Sequence, residues 1–301
     1  QAPTVRKDLT STMTNVDDKQ IKALPVENIA QILTLQAGIT QGAGGDLHIR
    51  GGRSNEISYN INGVSTVNPF DNSKAVEIAT NAIQELTVVS GTFNAEYGNA
   101  LSGIVNAVTK EGTSKYMGNI SFYLSDKVSA NDDIFYNIGK INPANQYVGE
   151  FSFSGPVPFL ENYLTFFSSL RYDNDRGWLY GKREHNPSDK FIKDPLDPKN
   201  ITIEATGDNK IVAMNPSDYL SSTFKLTFKP TSTIKINYDV IYSNQKYKTF
   251  DHDFKYNPDA LYNNYKWGIV NTIELRHALS DRTFYTVRGG YSLNDSKRYL
   301  Y

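Results

Sequence analysis

The side chains best suited to chemistry are few, and they are not grouped as a catalyst needs them. Asp251-His252-Asp253 offers three metal-ligating groups, but the run falls in a predicted loop, where such charges are ordinarily solvated. Asp71 and the pair Asp132-Asp133 lack the spaced oxygen ligands of a calcium loop and read as solvent-facing turns. Gly42-Ala43-Gly44-Gly45 is followed by no Gly-Lys-Ser/Thr, so it reads as a flexible turn and not as a phosphate cradle. No serine has a histidine and an acid in a recognisable context for acyl transfer. Cysteine is absent and histidine numbers only 4, which removes thiol catalysis, disulfides and cysteine-ligated zinc. No catalytic residue, metal site or cofactor is expected. The 31 basic and 32 acidic residues leave a net charge of −1, without the cationic surplus that nucleic-acid binding requires. What remains is a protein that holds, contains or conducts something.

The elements that would do so fall in two segments. Tyr59, Tyr97, Phe70 and Phe93 are the only Tyr and Phe before residue 111, out of 20 Tyr and 15 Phe in all. This compositional break sets a boundary in the polar stretch Lys110-Glu111-Gly112-Thr113-Ser114, dividing residues 1–110 from 115–301. In the first segment Ile21, Leu24, Ile29, Ile32, Leu33 and Leu35 recur at helical spacing, interrupted by Pro25 and stopped at Gly38. Strands are predicted at Leu47–Arg50, Ile57–Ile61, Ile83–Val89 and Gly103–Thr109, with the turn signal Asn62-Gly63 after the second. Ala75–Ala82 has weak helical spacing. The segment is predicted to be a small α+β domain.

From Lys115 onward residues alternate with period two. Leu220, Ser222, Phe224, Leu226 and Phe228 share one face; Ser221, Thr223, Lys225, Thr227 and Lys229 share the other. Seven such runs occur: Tyr116–Leu124, Gln146–Gly155, Tyr163–Tyr172, Tyr219–Lys229, Thr233–Tyr242, Lys266–His277 and Arg282–Leu293. Most have about 9–12 residues, the reach of a tilted membrane strand, and several end in aromatics of the kind that form interfacial girdles. The links between them are long after the first, third and fifth runs and short after the second, fourth and sixth. A membrane barrel keeps that order because one side only turns back while the other projects loops; a soluble sandwich has no reason to. No run approaches the ~18 apolar residues of a membrane helix. The prediction is therefore an antiparallel transmembrane β-barrel. Seven strands would leave unpaired backbone in lipid, so the sequence is expected to be an N-terminal piece of a longer chain. It starts at Gln1 without a charged n-region or apolar h-region, so a secretion signal is expected to have been removed or to lie upstream.

Four motifs then acquire a meaning together. Leu47-His48-Ile49-Arg50-Gly51-Gly52 resembles the IRG motif of TonB-dependent receptor plug domains, and Tyr59-Asn60-Ile61-Asn62-Gly63-Val64 resembles the DGV turn that follows it. Ile83–Gly91, Ala95-Glu96-Tyr97-Gly98 and Ser102-Gly103-Ile104-Val105-Asn106-Ala107-Val108-Thr109-Lys110 resemble the block that closes the plug. Asn62 stands where Asp is usual, and both tolerate the turn. The wording of Ser90–Gly98 is similar to receptors of the Bacteroidota.

The resemblance implies an α+β plug filling an incomplete large barrel of about 22 strands in the full protein. It further implies an outer-membrane location in a Gram-negative bacterium, energy from the TonB–ExbB–ExbD complex, and uptake of a siderophore, corrinoid, glycan or peptide. A surface lipoprotein over the barrel is a further partner that it admits. An alternative keeps the plugged barrel but gives it a structural, adhesive or secretion role. Arg50, Gly51, Gly52, Asn62, Gly63, Glu85, Gly91, Tyr97, Gly98 and Gly103 would then be plug structural residues, with Arg50 and Glu85 or Glu96 meeting the wall in wet, ionic contacts. Lys225, Lys229, Lys235, Arg171, Glu274 and Arg276 would face the lumen and hold the plug. Asn68, Phe70 and Asp71, with the tip Gly42–Asp46, are the substrate-touching candidates. The resemblance also implies a short TonB-contacting segment near the N-terminus that the sequence does not identify: Ala2-Pro3-Thr4-Val5 is extended and apolar, but an ordinary terminal tail reads the same.

Overall fold

Residues 11–300, apart from 25, 27, 43–44, 69–71, 92–99, 132–133 and 194–200, are described by a computed structural model. The first segment opens with β1 (Ser11–Asp17), α1 (Asp18–Ala23) and α2 (Ile29–Thr34). Asp17 caps α1 by accepting from the backbone N–H groups of Lys19 and Gln20 at 3.0 and 2.8 Å, while Gln20 Oε1 accepts from Asp17 N–H. Asn28 caps α2 in the same way through Gln31 N–H at 3.0 Å. There follow β2 (Ile39–Gln41), β3 (Leu47–Ile49), β4 (Ile57–Ile61), β5 (Val64–Ser65), β6 (Ile83–Gly91) and β7 (Gly103–Thr109). The main sheet has the order β1-β6-β7-β4-β5, with β4 and β7 parallel and the other pairs antiparallel. Ile32 and Leu33 of α2, Ile49, Ile57, Ile83, Leu86 and Ile104 are buried to 1% exposure or less. Each such side chain contributes about 1.5–3 kcal/mol on leaving water.

Two features depart from the sequence reading. Ala75–Ala82 is an irregular stretch ending in a 3-10 turn at Thr80–Ala82, and not a helix. The apolar spacing has another cause: Ala75, Val76, Ile78, Ala79 and Ala82 are buried along a segment held by the neighbouring wall. The strand β1 was not expected, because among its described side chains only Val16 is buried and the strand carries no apolar pattern.

All seven alternating runs form strands: β8 (Met117–Ser125), β9 (Gln146–Pro156), β10 (Leu164–Asp175), β15 (Ser217–Phe228), β16 (Ile234–Tyr247), β17 (Asn263–Ser280) and β18 (Thr283–Tyr299). Between β10 and β15 lie four short strands, β11 (Tyr180–Lys182), β12 (Phe191–Lys193), β13 (Ile201–Ile203) and β14 (Ile211–Ala213), paired as β11–β14 and β12–β13. The seven long strands lie in sequence order, each antiparallel to the next, as one open wall. Several run further at the long-loop end than alternation predicts, β16 to Tyr247 and β18 to Tyr299 among them. There the ladder of backbone bonds continues after the apolar face has ended.

The wall is inverted relative to the plug. Ser169, Arg171, Ser221, Thr223, Lys225, Thr227, Asn237, Asp239, Thr272 and Glu274 are buried against the plug. Phe122, Leu170, Phe224, Phe228, Tyr238, Ile273 and Tyr291 are exposed on the other face. The wall thus hides its polar side and shows its apolar side, the reverse of a sheet exposed to water.

Candidate functional site

Cross-strand register arranges the plug-facing side chains of the wall in rows. From the long-loop end, one row is Asp173, Tyr219, Gln245, Lys266 and Ser296; the next is Arg171, Ser221, Ser243, Gly268 and Asn294. Below them come Ser169, Thr223, Ile241, Val270 and Ser292, and then Phe167, Lys225, Asp239, Thr272 and Gly290. The plug is fastened to these rows one by one.

At the second row, Glu77 binds through its backbone. Its N–H donates to Ser243 Oγ at 3.2 Å, and its carbonyl accepts from Tyr219 Oη at 3.1 Å and Ser221 Oγ at 3.3 Å. Gly268 lets this segment lie against β17: a Cβ there would stand 2.3 Å from the Ala75 carbonyl oxygen. At the third and fourth rows, Ile241, Val270 and Phe167 belong to the same apolar cluster as the plug core. The seam is thus apolar at these three positions, beside the ionic contact that was expected. In the fourth row Lys225 and Asp239 are directly opposed, 3.4 Å apart and 3% and 2% exposed. Between them sits the hydroxyl of Thr109, the last residue of β7, which donates to Asp239 Oδ1 at 2.7 Å and accepts from Lys225 Nζ at 3.0 Å. Thr109 N–H in turn donates to Asn62 Oδ1 at 3.0 Å. Gly290, in that row, leaves room for Val64, whose Cγ1 would lie 2.4 Å from a Cβ at this position.

Asn62 and Gly63 have φ of 52° and 77°, the left-handed pair of a tight hairpin turn between β4 and β5, as their types predict. Past β7 the chain does not swing free: Glu111 takes Lys235 Nζ at 2.6 Å, and Thr113 Oγ1 meets Ser154 Oγ at 2.9 Å.

The lumen-side residues singled out in the sequence divide accordingly. Lys225 holds the plug, and Lys235 holds the linker that leaves it. Arg171 pairs within the wall with Glu150 and Asp173, and Glu274 with Arg276 and Arg288. Lys229 is exposed at a short turn. Among the described residues, Arg50 and Glu85 find their hydrogen-bond partners within the plug. The Arg50 guanidinium donates to Thr12 Oγ1 of β1 at 2.5 Å, and Glu85 accepts from Thr87. Both stabilise the plug itself, because β3 and β6 place them beside β1 and along β6. Gly51 is at φ 76° and Gly91 at φ 103°; Gly52 packs where a Cβ would lie 2.2 Å from that of Ser102, and Gly103 against Ile49. Glu96, Tyr97, Gly98, Phe70, Asp71, Asp132, Asp133 and Ala2–Val5 lie outside the described residues. Asp251 caps a 3-10 turn by accepting from Asp253 N–H at 3.0 Å. Thr109, Glu77 and Asp239 were missed as contacts. The one sequence signal was a polar residue closing an otherwise apolar strand.

On the long-loop side the plug and the first wall row enclose two adjoining cavities of about 290 and 330 Å³. Asn68, Gly45 and Asp46, foreseen as apical, line the first. Lys74 and Glu77 line both, with Nζ and Oε2 2.5 Å apart. Burial alone would lower the Lys74 ammonium, but the Glu77 carboxylate outweighs it and holds it above its ordinary value. Lys74 also stands 5.6 Å from the centre of the Tyr59 ring, whose hydroxyl is pushed up by burial. On the short-turn side a cavity of about 520 Å³ lies between Asn60, Asn62 and Asn106 of the plug and Asn237, Glu274 and Arg288 of the wall. Polar space thus exists on both sides of the seam.

Comparison with known proteins agrees with this architecture. Residues 5–104 match the TonB-dependent Receptor Plug Domain family. A stretch of 127 residues, 39% of this chain, is 27% identical to the TonB-dependent transporter Oar of Myxococcus xanthus and takes in 12% of its length. Among solved structures, the outer membrane transporter YddB of Escherichia coli superposes with a TM-score of 0.65 at 12% identity, over 93% of this chain and 38% of that one. The siderophore receptor PirA of Acinetobacter baumannii gives 0.65 at 15% identity, over 95% and 40%. The chain therefore spans about two-fifths of the structures it resembles. Its first third thus matches the family model of that plug domain, and the plug with the antiparallel β-wall packed against it is similar in fold to these transporters.

Proposed function

We propose that the chain is the plug-bearing portion of a TonB-dependent receptor in a Gram-negative outer membrane, importing a scarce solute. One observation carries this: the plug packs against a wall whose other side is apolar, and cavities lined by polar residues flank that contact on both sides. Solute held in the loop-side cavities would pass once the plug shifts off its rows. The solute classes are a siderophore, corrinoid, glycan or peptide. The protein is a transporter and not an enzyme, and the seven strands belong to a closed barrel of about 22. TonB–ExbB–ExbD would supply the energy, outer-membrane lipid would surround the wall, and a surface lipoprotein would cover the loops. The residues of Ser90–Gly98 keep a Bacteroidota origin within the proposal.

The test is solute depletion by cells carrying the intact receptor, with and without functional TonB. Depletion that vanishes without TonB is expected. No TonB-dependent depletion of any solute class, with adhesion or export lost on deleting the receptor, would instead establish the structural or secretion reading.

A further inference from the structure

Two kinds of contact join the plug to the wall. On β15 and β16 the contacts are directional bonds: Glu77 to Tyr219, Ser221 and Ser243, and Thr109 to Lys225 and Asp239. On β17 and β18, Val64 and Val76 meet glycine instead. A Cβ at Gly290 would lie 2.4 Å from Val64 Cγ1, and one at Gly268 would lie 2.8 Å from Val76 Cγ1. Apolar contacts of this kind have no preferred direction and no hydrogen bond to break. β5, which bears Val64, is the edge strand of the plug sheet, so no further strand of that sheet stands between it and the wall.

The same two wall strands border a polar cavity at either end. The loop-side cavity of about 290 Å³ reaches Lys266, Asn294 and Ser296, and the short-turn cavity of about 520 Å³ reaches Glu274, Arg276 and Arg288. In register, Gly268 lies opposite Asn294 and Glu274 opposite Arg288, with only the rows Val270–Ser292 and Thr272–Gly290 between them. Along the strands that separation is about 20 Å. Val76 and Val270 belong to one apolar cluster there, and Val64 covers Gly290. We infer that the solute crosses along the inner face of β17 and β18, with Val64 and Val76 as the gate that parts from Gly290 and Gly268 to pass it. The far cavity is lined by Ser58, Asn60, Asn62 and Asn106, so the route ends among polar groups. The inference rests on the transport reading above and gives it a route.

The experiment uses the intact receptor in cells and paired cysteines, since these 301 residues contain none. Val64→Cys with Gly290→Cys ties the gate shut, the Cβ positions being 3.5 Å apart and within disulfide reach. Asn81→Cys with Ser152→Cys ties the plug to β9 instead, beside the 3.4 Å bond from Asn81 Nδ2 to the Phe151 carbonyl. A short bis-thiosulfonate bridges either pair and a reductant reopens it, while single-cysteine variants report any thiol elsewhere in the receptor. The probe is a mixture of a ferric catecholate chelate, cyanocobalamin, maltotetraose and random tetrapeptides, its depletion followed by mass spectrometry. TonB-dependent depletion should stop when the first pair is bridged, return on reduction, and persist when the second is bridged. Depletion indifferent to the first bridge, or stopped by both, would overturn the route and leave the transport reading standing. No TonB-dependent depletion before any bridging would overturn both. Should the reduced Gly290→Cys pair already fail, Val64→Ala with Val76→Ala takes its place, read as ion conductance in a planar bilayer. A rise in conductance that Phe167→Ala does not share supports the route, and its absence overturns it.

Discussion

The plug and the wall use one construction rule with opposite sign. In both, successive side chains of a β-strand point to opposite faces, and in both at least one face is buried. In the plug the buried face is Ile57, Ile83, Leu86 and Ile104; in the wall it is Ser221, Thr223, Lys225, Asn237 and Asp239. Alternation therefore fixes where a strand is and which residues share a face, but what lies beyond each face decides which one is hidden. A water-bathed plug hides its hydrocarbon, whereas a wall facing lipid hides its polar groups against that plug.

Substitutions can break this contrast where the two halves meet, and there the effect should be largest. Lys225→Met leaves Asp239 buried without its cation, which should cost about 3–5 kcal/mol, whereas the double change Lys225→Met with Asp239→Leu should recover most of it. Thermal unfolding of the detergent-purified receptor measures both, and equal losses in the single and double variants would refute the pairing. Inside the plug, Leu86→Ala opens a cavity at a fully buried site and should cost about 2–5 kcal/mol, read as faster amide exchange along β6 with the wall unchanged. On the lipid side, Phe224→Arg should cost about 2–4 kcal/mol in folding into bilayers. Its neighbour Thr223→Val, facing the plug, should be near neutral, since its buried hydroxyl has no partner among the described residues. Reversal of that order would mean the faces are misassigned.

The smallest effect should come from the outer loops. Asp189 accepts from Thr206 Oγ1 and from the backbone N–H groups of Asn186 and Thr206 at 3.0 and 3.1 Å. Those bonds hold its carboxyl below the ordinary 3.8. A depressed carboxyl lends order above its unfolded value and loses it as pH falls through the folded one. Limited proteolysis around Asp189 should therefore accelerate below about pH 4, and Asp189→Asn should remove that step.

The wall was legible because alternation and the long-short order of links both survive in the sequence, and the plug because its glycines sit where backbones crowd. Ala75–Ala82 misled, since burial against two partners reproduces helical spacing without a helix. β1 was silent because an edge strand with one buried residue leaves no pattern. Asn68, Gly45 and Asp46 could be placed from the motifs around them only as far as the loop-side cavity that they line. Thr109 could not, because its partners Lys225 and Asp239 lie more than a hundred residues away and only register brings them together.

Gly268 and Gly290 give the interface a mechanical character. Where the plug passes β17 and β18 at Ala75 and Val64, the wall presents bare backbone and no protruding side chain. Surfaces that interdigitate must be lifted apart before they slide, whereas a smooth track permits displacement along the strand direction at once. Under any load along the strands, this sector would work as a bearing, and the clasp at Thr109 would be the catch that has to release first.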